Sequence, residues 1–235
     1  MKVIILAAGF GSRLGMDKSK GLVEIDGQET FLDKHFRTLA RLGIDDDVVL
    51  VAGKDYDDVH ARYQDKCVEV IRNNHVELNN GYSLLLAAKH MGAGFMLINC
   101  DVICDTKILD ELVNSDHLNS LVVDGDKGQD PEEMKACAIH GLPYRLKKSI
   151  IPEDTRNMVG EFAGMCKITE VESIDSLISI LRNMSDAQVP FYWEDALEEH
   201  MGKFRYGITY TKGRKWLEVD FMEDYHQAKE MFGYS

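Results

Sequence analysis

After Met1 the chain runs KVIILAA at 2–8, a continuous apolar segment without polar alternation, which is the pattern of a strand buried on both faces. It ends in glycines rather than in a hairpin turn. FLDKHFRTLARL at 31–42 spaces its apolar residues for one helix face and closes at Gly43, and DVVLVA at 47–52 is again a buried-strand run. Together they predict a βαβ unit. The same rhythm predicts a helix over 56–63, a strand over 68–72, a helix over 83–90 and the strand GFMLIN over 94–99. Such alternation implies a parallel sheet with right-handed crossovers.

Past Asp101 the rhythm changes. Strands are predicted at 120–123, 136–140 and 162–168, helices at 173–182 and 193–200, late strands at 207–211 and 216–219, and a closing helix at 221–232. The expected fold class is α/β, a Rossmann-like, mostly parallel twisted sheet flanked by helices, with a smaller mixed α+β part. One domain is expected over 1–235, divided into a nucleotide-binding half (1–105) and an acceptor-binding half (106–235), and the sequence leaves open a longer fusion.

Composition changes the picture in three places. Five cysteines form an odd number with no CxxC pair, which argues for reduced, buried thiols over a disulfide framework or a zinc site. A net charge of -13 disfavours general attraction to nucleic acid or anionic membrane, so phosphate must be held locally. No segment nears the roughly 18 apolar residues of a membrane span, and the N-terminal run is too short for a signal peptide. A cytoplasmic protein without membrane insertion is expected.

Local phosphate chemistry has a candidate in Ala8-Gly9-Phe10-Gly11-Ser12-Arg13, where a strand meets small residues and backbone N–H groups are left to face phosphate oxygens. The dinucleotide fingerprint is incomplete, because Leu14 or Gly15 stands near the place of its third glycine. Arg13, Lys18 and Lys20 converge on this loop and suit a triphosphate whose charge grows on departing pyrophosphate. Asp101 closes the strand at 94–99 and Asp220 closes the one at 216–219, the ends where open α/β sheets place ligands. Each is also a plausible helix cap. As a pair they suit Mg²⁺, with substrate phosphate oxygens and water completing its octahedron.

The stretch LAAGFGSRLGMDKSKGLVEIDG resembles the signature of the sugar-phosphate and alcohol-phosphate nucleotidylyltransferases. The resemblance implies that Arg13 and Lys20 contact the triphosphate, although Ser19 and Gly21 replace the usual proline beside the lysine, which leaves Lys18 as a competitor. It implies metal binding by Asp101 and by Asp220, the latter in a V-D-x-x-x-D-Y-like segment. Nucleotide contacts are then expected from Ala7, Ala8, Gly9, Gly11 and Ser12, and from NNGYSLLLA at 79–87 through Asn79, Gly81, Tyr82 and Ser83. That second segment is similar to the cytidylyltransferase branch acting on phosphocholine, inositol 1-phosphate and 2-aminoethylphosphonate, so CTP is the expected nucleotide.

Two further segments, PEEMK at 131–135 and GEFAG at 160–164, resemble landmarks of the same branch. They assign Lys135 to the acceptor's phosphate or phosphonate and leave Glu161 to ribose, acceptor or metal shell. Phe191-Tyr192-Trp193-Glu194-Asp195 combines aromatic faces with carboxylates, which suits an ammonium head held by Tyr192, Trp193 and Asp195, and Asp124, Asp126 and Asp130 form a second acidic cluster suited to a primary amine. The expected acceptor is 2-aminoethylphosphonate, with phosphocholine close behind, and a homo-oligomer is a family-level expectation. The rivals are a glycosyltransferase, disfavoured because 101–103 reads Asp-Val-Ile rather than DxD, a dehydrogenase, and a nucleotide-binding domain without catalysis.

Overall fold

The computed structural model describes residues 1–9, 11–128 and 130–234, and the side chain of Ser12 lies outside that description. The first strand β1 (Lys2–Ala7) leads through the glycine loop to a short hairpin, β2 (Glu24–Asp26) and β3 (Glu29–Thr30), then to helix α1 (Phe31–Leu42). β4 (Val48–Ala52), α2 (Tyr56–Tyr63), β5 (Glu69–Arg72), α3 (Asn79–Leu86) and β6 (Phe95–Asn99) continue the alternation. Next come β7 (Val102–Cys104), α4 (Thr106–Val113), β8 (Asn119–Asp124), β9 (Lys135–Ile139), β10 (Leu142–Lys147) and the long β11 (Met158–Ile168). The chain ends with α5 (Val171–Asp186), α6 (Trp193–Met201), β12 (Gly207–Tyr210), β13 (Trp216–Glu218) and α7 (Met222–Phe232).

Parallel pairing in the order β6-β1-β4-β5 makes the centre of the sheet. These strands are apolar on both faces because both faces are covered: α3, α5 and α6 pack on one side and α1, α2 and α4 on the other. β11 extends the same sheet antiparallel to β6, and through it β8, β9, β10 and β12 join, giving nine strands among the described residues. A third, smaller core holds Leu14, Val23, Ile103, Leu217, Val219 and Ala228. It fastens the glycine loop, the β2–β3 hairpin, the β7–β13 ribbon and α7 to one another.

Local signals explain several boundaries. Thr30 caps α1 reciprocally with Asp33, and Gly43 ends it at φ 67°, a left-handed conformation that glycine adopts at little cost. The helix expected over 83–90 instead begins at Asn79, followed by a short 3₁₀ turn at 88–90. Ser83 therefore lies within the helix rather than at its start. It is buried inside the helix, where its hydroxyl accepts a hydrogen bond from Asn73 Nδ2 at 2.9 Å. The hairpin, β7 and β10 are too short or too mixed in pattern for periodicity to reveal them. Among the described residues no helix is long and apolar enough to cross a membrane.

Candidate active site

The C-terminal ends of β1 and β6 open on a cleft of about 640 Å³. Ala8 and Gly9 form one wall, Asn79, Asn80 and Ser83 at the start of α3 another, and Glu132, Met134, Lys148, Phe162 and Tyr192 the far rim. Three carboxylates, Asp101, Glu218 and Asp220, share the floor, each offering an oxygen within 4.8 Å of the others. Backbone pairing places them. The β7–β13 ribbon sets Glu218 opposite Val102, and the Val219 amide donates to the Asp101 carbonyl at 3.0 Å, so two segments more than a hundred residues apart meet at their acidic ends.

Neither aspartate is a helix cap. Asp105 caps α4 by accepting from the Lys107 amide, and Asp224 caps α7 by accepting from the amides of Asp220 and Phe221. Both site carboxylates are thereby left for the cleft. Lys20 Nζ lies 2.8 Å from Asp101 Oδ2 and also donates to Asp220 Oδ1, while Arg13 reaches Asp220 Oδ2 at 3.2 Å. Burial alone would lower the Lys20 pKa, but the charges of Asp101 and Asp220 outweigh it and hold the ammonium protonated. Burial opposes ionisation of Asp220, and Lys20 with Arg13 overcomes it, so that carboxylate stays below its usual range.

This donor set fits a hard divalent cation. All three groups are carboxylates, and Asp101 Oδ1 is buried without a hydrogen-bond partner, as an oxygen reserved for a ligand would be. Glu218 opens on the cleft, yet the protein packed around it, then the charges of Asp101 and Asp220, raise its carboxyl above the usual range. Lys20 and Arg13 balance Asp101 and Asp220, and the raised Glu218 carboxyl marks a floor to which a further cation would add stability.

The glycine loop divides its labour. Ala8 and Gly9 face the cleft, whereas Ala7 is buried in the core and Gly11 spends its amide on the Lys18 carbonyl at 3.1 Å. A Cβ at Gly11 would meet that same carbonyl at 2.9 Å, so this glycine permits the loop to close on itself. The Ser12 side chain lies outside the described residues. Lys18 points away, 4.0 Å from Glu24, so of the two lysines after the glycine loop Lys20 is the one that lines the cleft.

In the second nucleotide segment, Asn79 and Ser83 line the cleft while Gly81 and Tyr82 do not. A Cβ on Gly81 would stand 2.3 Å from the Phe191 ring, so this glycine serves the contact between α3 and the approach to α6. Tyr82 instead packs edge-on against His75, with ring centroids 5.5 Å apart. Asn79 holds φ 71°, unusual outside glycine, at the cleft wall.

The residues expected to bind the acceptor separate most. Tyr192 reaches the rim, but Trp193 is buried, with its indole N–H donating to Asn99 Oδ1 at 3.2 Å. Asp195 accepts from the Tyr192 amide and pairs with Lys147 at 2.6 Å. Lys135 is 8% exposed, and its ammonium is spent on the carbonyls of Asp130, Glu133 and Lys148 at 2.6, 3.1 and 2.8 Å. It lies behind the rim, fixing the two segments that carry Glu132, Met134 and Lys148. Glu161 likewise sits outside the cleft lining, 3.5 Å from Lys127, and burial raises its carboxyl to about 7. Asp124 is buried behind the floor, where it accepts from the Trp216 indole N–H at 2.6 Å.

Three charged cleft residues escape the sequence reading: Lys54, Lys148 and Glu218. Glu218 had a usable signal, since the period of two along a strand sets it on the same face as Asp220. Lys54 stands two residues past the end of β4, and Lys148 follows β10, whose pattern gave no strand. Glu194, in the first turn of α6, belongs to the aromatic and acidic segment at 191–195 and lines the cleft. Its carboxyl is raised to about 7 by burial, and it accepts from Asn80 Nδ2 at 3.5 Å.

With this geometry in hand, comparison with known proteins identifies relatives. A bifunctional IPC transferase and DIPP synthase of Archaeoglobus fulgidus is 29% identical over 231 residues, covering 97% of this chain and 43% of its own length. The Aquifex aeolicus counterpart is 32% identical and is covered over 50% of its length, so the chain spans about half of these bifunctional relatives. The choline-phosphate cytidylyltransferase of Streptococcus pneumoniae is 20% identical, with 98% of each chain covered. Among solved structures, the inositol-1-phosphate CTP transferase from T. maritima superimposes with a TM-score of 0.79 at 20% identity, over 100% of this chain and 97% of that one. The MobA-like NTP transferase domain matches residues 3–204, most of the sheet and the cleft, and the chain belongs to that family.

Proposed function

We propose that this protein is a CTP-dependent cytidylyltransferase that couples CMP to a small phosphate or phosphonate acceptor with release of pyrophosphate. The observation that carries the reading is the placing of Lys20 between Asp101 and Asp220, with Arg13 beside it, where the glycine loop meets the ends of β6 and β13. An acceptor oxygen attacks the α-phosphorus in line, the bond to the bridging oxygen breaks, and pyrophosphate takes the electron pair. The acceptor oxyanion is already charged, so no protein nucleophile is required. Catalysis is alignment and charge neutralisation. Arg13, Lys20 and Lys54 are placed for the triphosphate, and the open amides of Ala8 and Gly9 for its oxygens. Asp101, Glu218 and Asp220 would hold Mg²⁺, which when bound neutralises phosphate charge.

For the acceptor, the rim offers Tyr192, Phe162 and Met134 beside the carboxylates of Glu132 and Glu194, with Lys148 as the nearby cation. Apolar and aromatic faces with carboxylates suit an ammonium head, and a lysine suits its phosphate or phosphonate. The proposal is therefore 2-aminoethylphosphonate, or phosphocholine, with Lys148 replacing Lys135 as the anion contact. A second reading, inositol 1-phosphate, is favoured by the 29% and 32% identity to the bifunctional IPC transferases. Pyrophosphate release with CTP and each of the three acceptors in turn separates them.

A further inference from the structure

A second pocket, of about 240 Å³, lies outside the cleft, where α1 meets α7 and the start of α4. Lys34 and Arg41, two turns apart on one face of α1, enter it from one side, and Lys215 from the other. Asp105 is the sole acid of its lining, and that carboxylate accepts from the Lys107 amide. Among the described residues none of the three cations forms an ion pair. Lys215 Nζ donates to the Met231 carbonyl at 2.6 Å, and Lys34 Nζ stands 5.4 Å from the Phe232 ring centroid. Glu29, the next acid near Lys34, is bound to Arg37 at 3.0 Å. Three like charges around a single lining carboxylate, in a chain of net charge -13, are a local excess that an anion would relieve.

We propose that this pocket binds a small dianion carrying a phosphate group, inorganic phosphate or the head of a phosphomonoester, through Lys34, Arg41 and Lys215. Burial, then the neighbouring charge of Arg37, lowers the Lys34 pKa, the cost that such an anion removes. The site also has a route to the cleft. Cys104 and Lys215 flank one end of the β7–β13 ribbon, while Asp101, Glu218 and Asp220 occupy the other, roughly 10 Å away at strand rise. An anion there ties the end of α7 to α1, and the start of α7 is already tied to Asp220 through Asp224.

The test titrates inorganic phosphate, at constant ionic strength, into the protein with CTP and Mg²⁺ filling the cleft, and reads the thermal midpoint. A saturable rise is expected. In Lys34→Gln/Lys215→Gln, and separately in Arg41→Gln, the apparent Kd for phosphate should rise about tenfold, while the CTP-induced shift and turnover stay unchanged. A parallel titration with glycerol phosphate shows whether the pocket accepts an esterified head or only the free ion, and a saturable shift with either supports it. No saturable shift with both, or equal shifts in the variants and the parent protein, overturns it. The CTP arm reads the proposed reaction separately, so the two ideas fail independently.

Discussion

Lys20 Nζ stands 2.8 Å from Asp101 Oδ2 and donates on its other side to Asp220, so a single ammonium joins two carboxylates that are 119 positions apart in the chain. It occupies the one place where the glycine loop, the end of β6 and the end of β13 come together. That placement suggests that the lysine neutralises the floor until triphosphate and metal share the charge.

Lys20→Ala should therefore cut turnover with CTP by at least about a hundredfold, the scale of losing one preorganised charge at a transition state. It should also leave the acids without their buried counter-charge, lowering the thermal midpoint in EDTA and regaining much of it in Mg²⁺. Steady-state kinetics and thermal unfolding check this, and near-normal turnover would refute the role.

Metal dependence follows from the acidic floor. EDTA should abolish pyrophosphate release, and Asp101→Asn, Glu218→Gln and Asp220→Asn should each weaken Mg²⁺ binding by about tenfold or more, on the scale of losing one ligand. Calorimetric titration of Mg²⁺ in the presence of CTP measures it. Unchanged affinity in Glu218→Gln would remove that residue from the set.

The two lysines near the rim should behave differently. Lys148→Ala should raise the acceptor KM and leave the CTP KM unchanged. Lys135→Met strands three carbonyls, and at about 1–3 kcal/mol for a buried polar group left unpaired it should lower stability clearly. Thermal unfolding of both variants beside their kinetics distinguishes holding the acceptor from holding the rim.

His35 gives a pH dependence of stability. It is buried against the Cys100 carbonyl at 2.9 Å, and burial lowers its pKa to about 4. The unfolded chain takes up a proton near pH 6.5, which the folded protein resists. The His35 contribution is thus complete above pH 6.5 and declines as pH falls from 6.5 towards 4, by up to about 3 kcal/mol. Denaturant unfolding across that range should show the decline, and His35→Gln should flatten it.

Much of the architecture was legible because the buried parallel strands are continuous apolar runs punctuated by capped helices. β1, β4 and β6 needed no partner information to be seen. Arg13, Lys20, Asp101 and Asp220 were legible as strand-end and loop residues, and the structure brings all four to one floor. The far rim was legible only in part: the segments at 131–135 and 160–164 and Tyr192 stood out, whereas Lys148 follows β10, whose residues alternate irregularly. Lys135 misled for a related reason: its motif marks the rim, but three carbonyls capture its side chain. Sequence shows that a lysine is present, and only packing shows which way its ammonium turns.

The most direct test measures pyrophosphate release from CTP and Mg²⁺ with 2-aminoethylphosphonate, phosphocholine or inositol 1-phosphate, with UTP and ATP as nucleotide controls. The account predicts release with CTP, strongest with an ammonium-bearing acceptor and lost in Lys20→Ala. Release from UTP or ATP in preference to CTP, or none with any of the three acceptors, would contradict it.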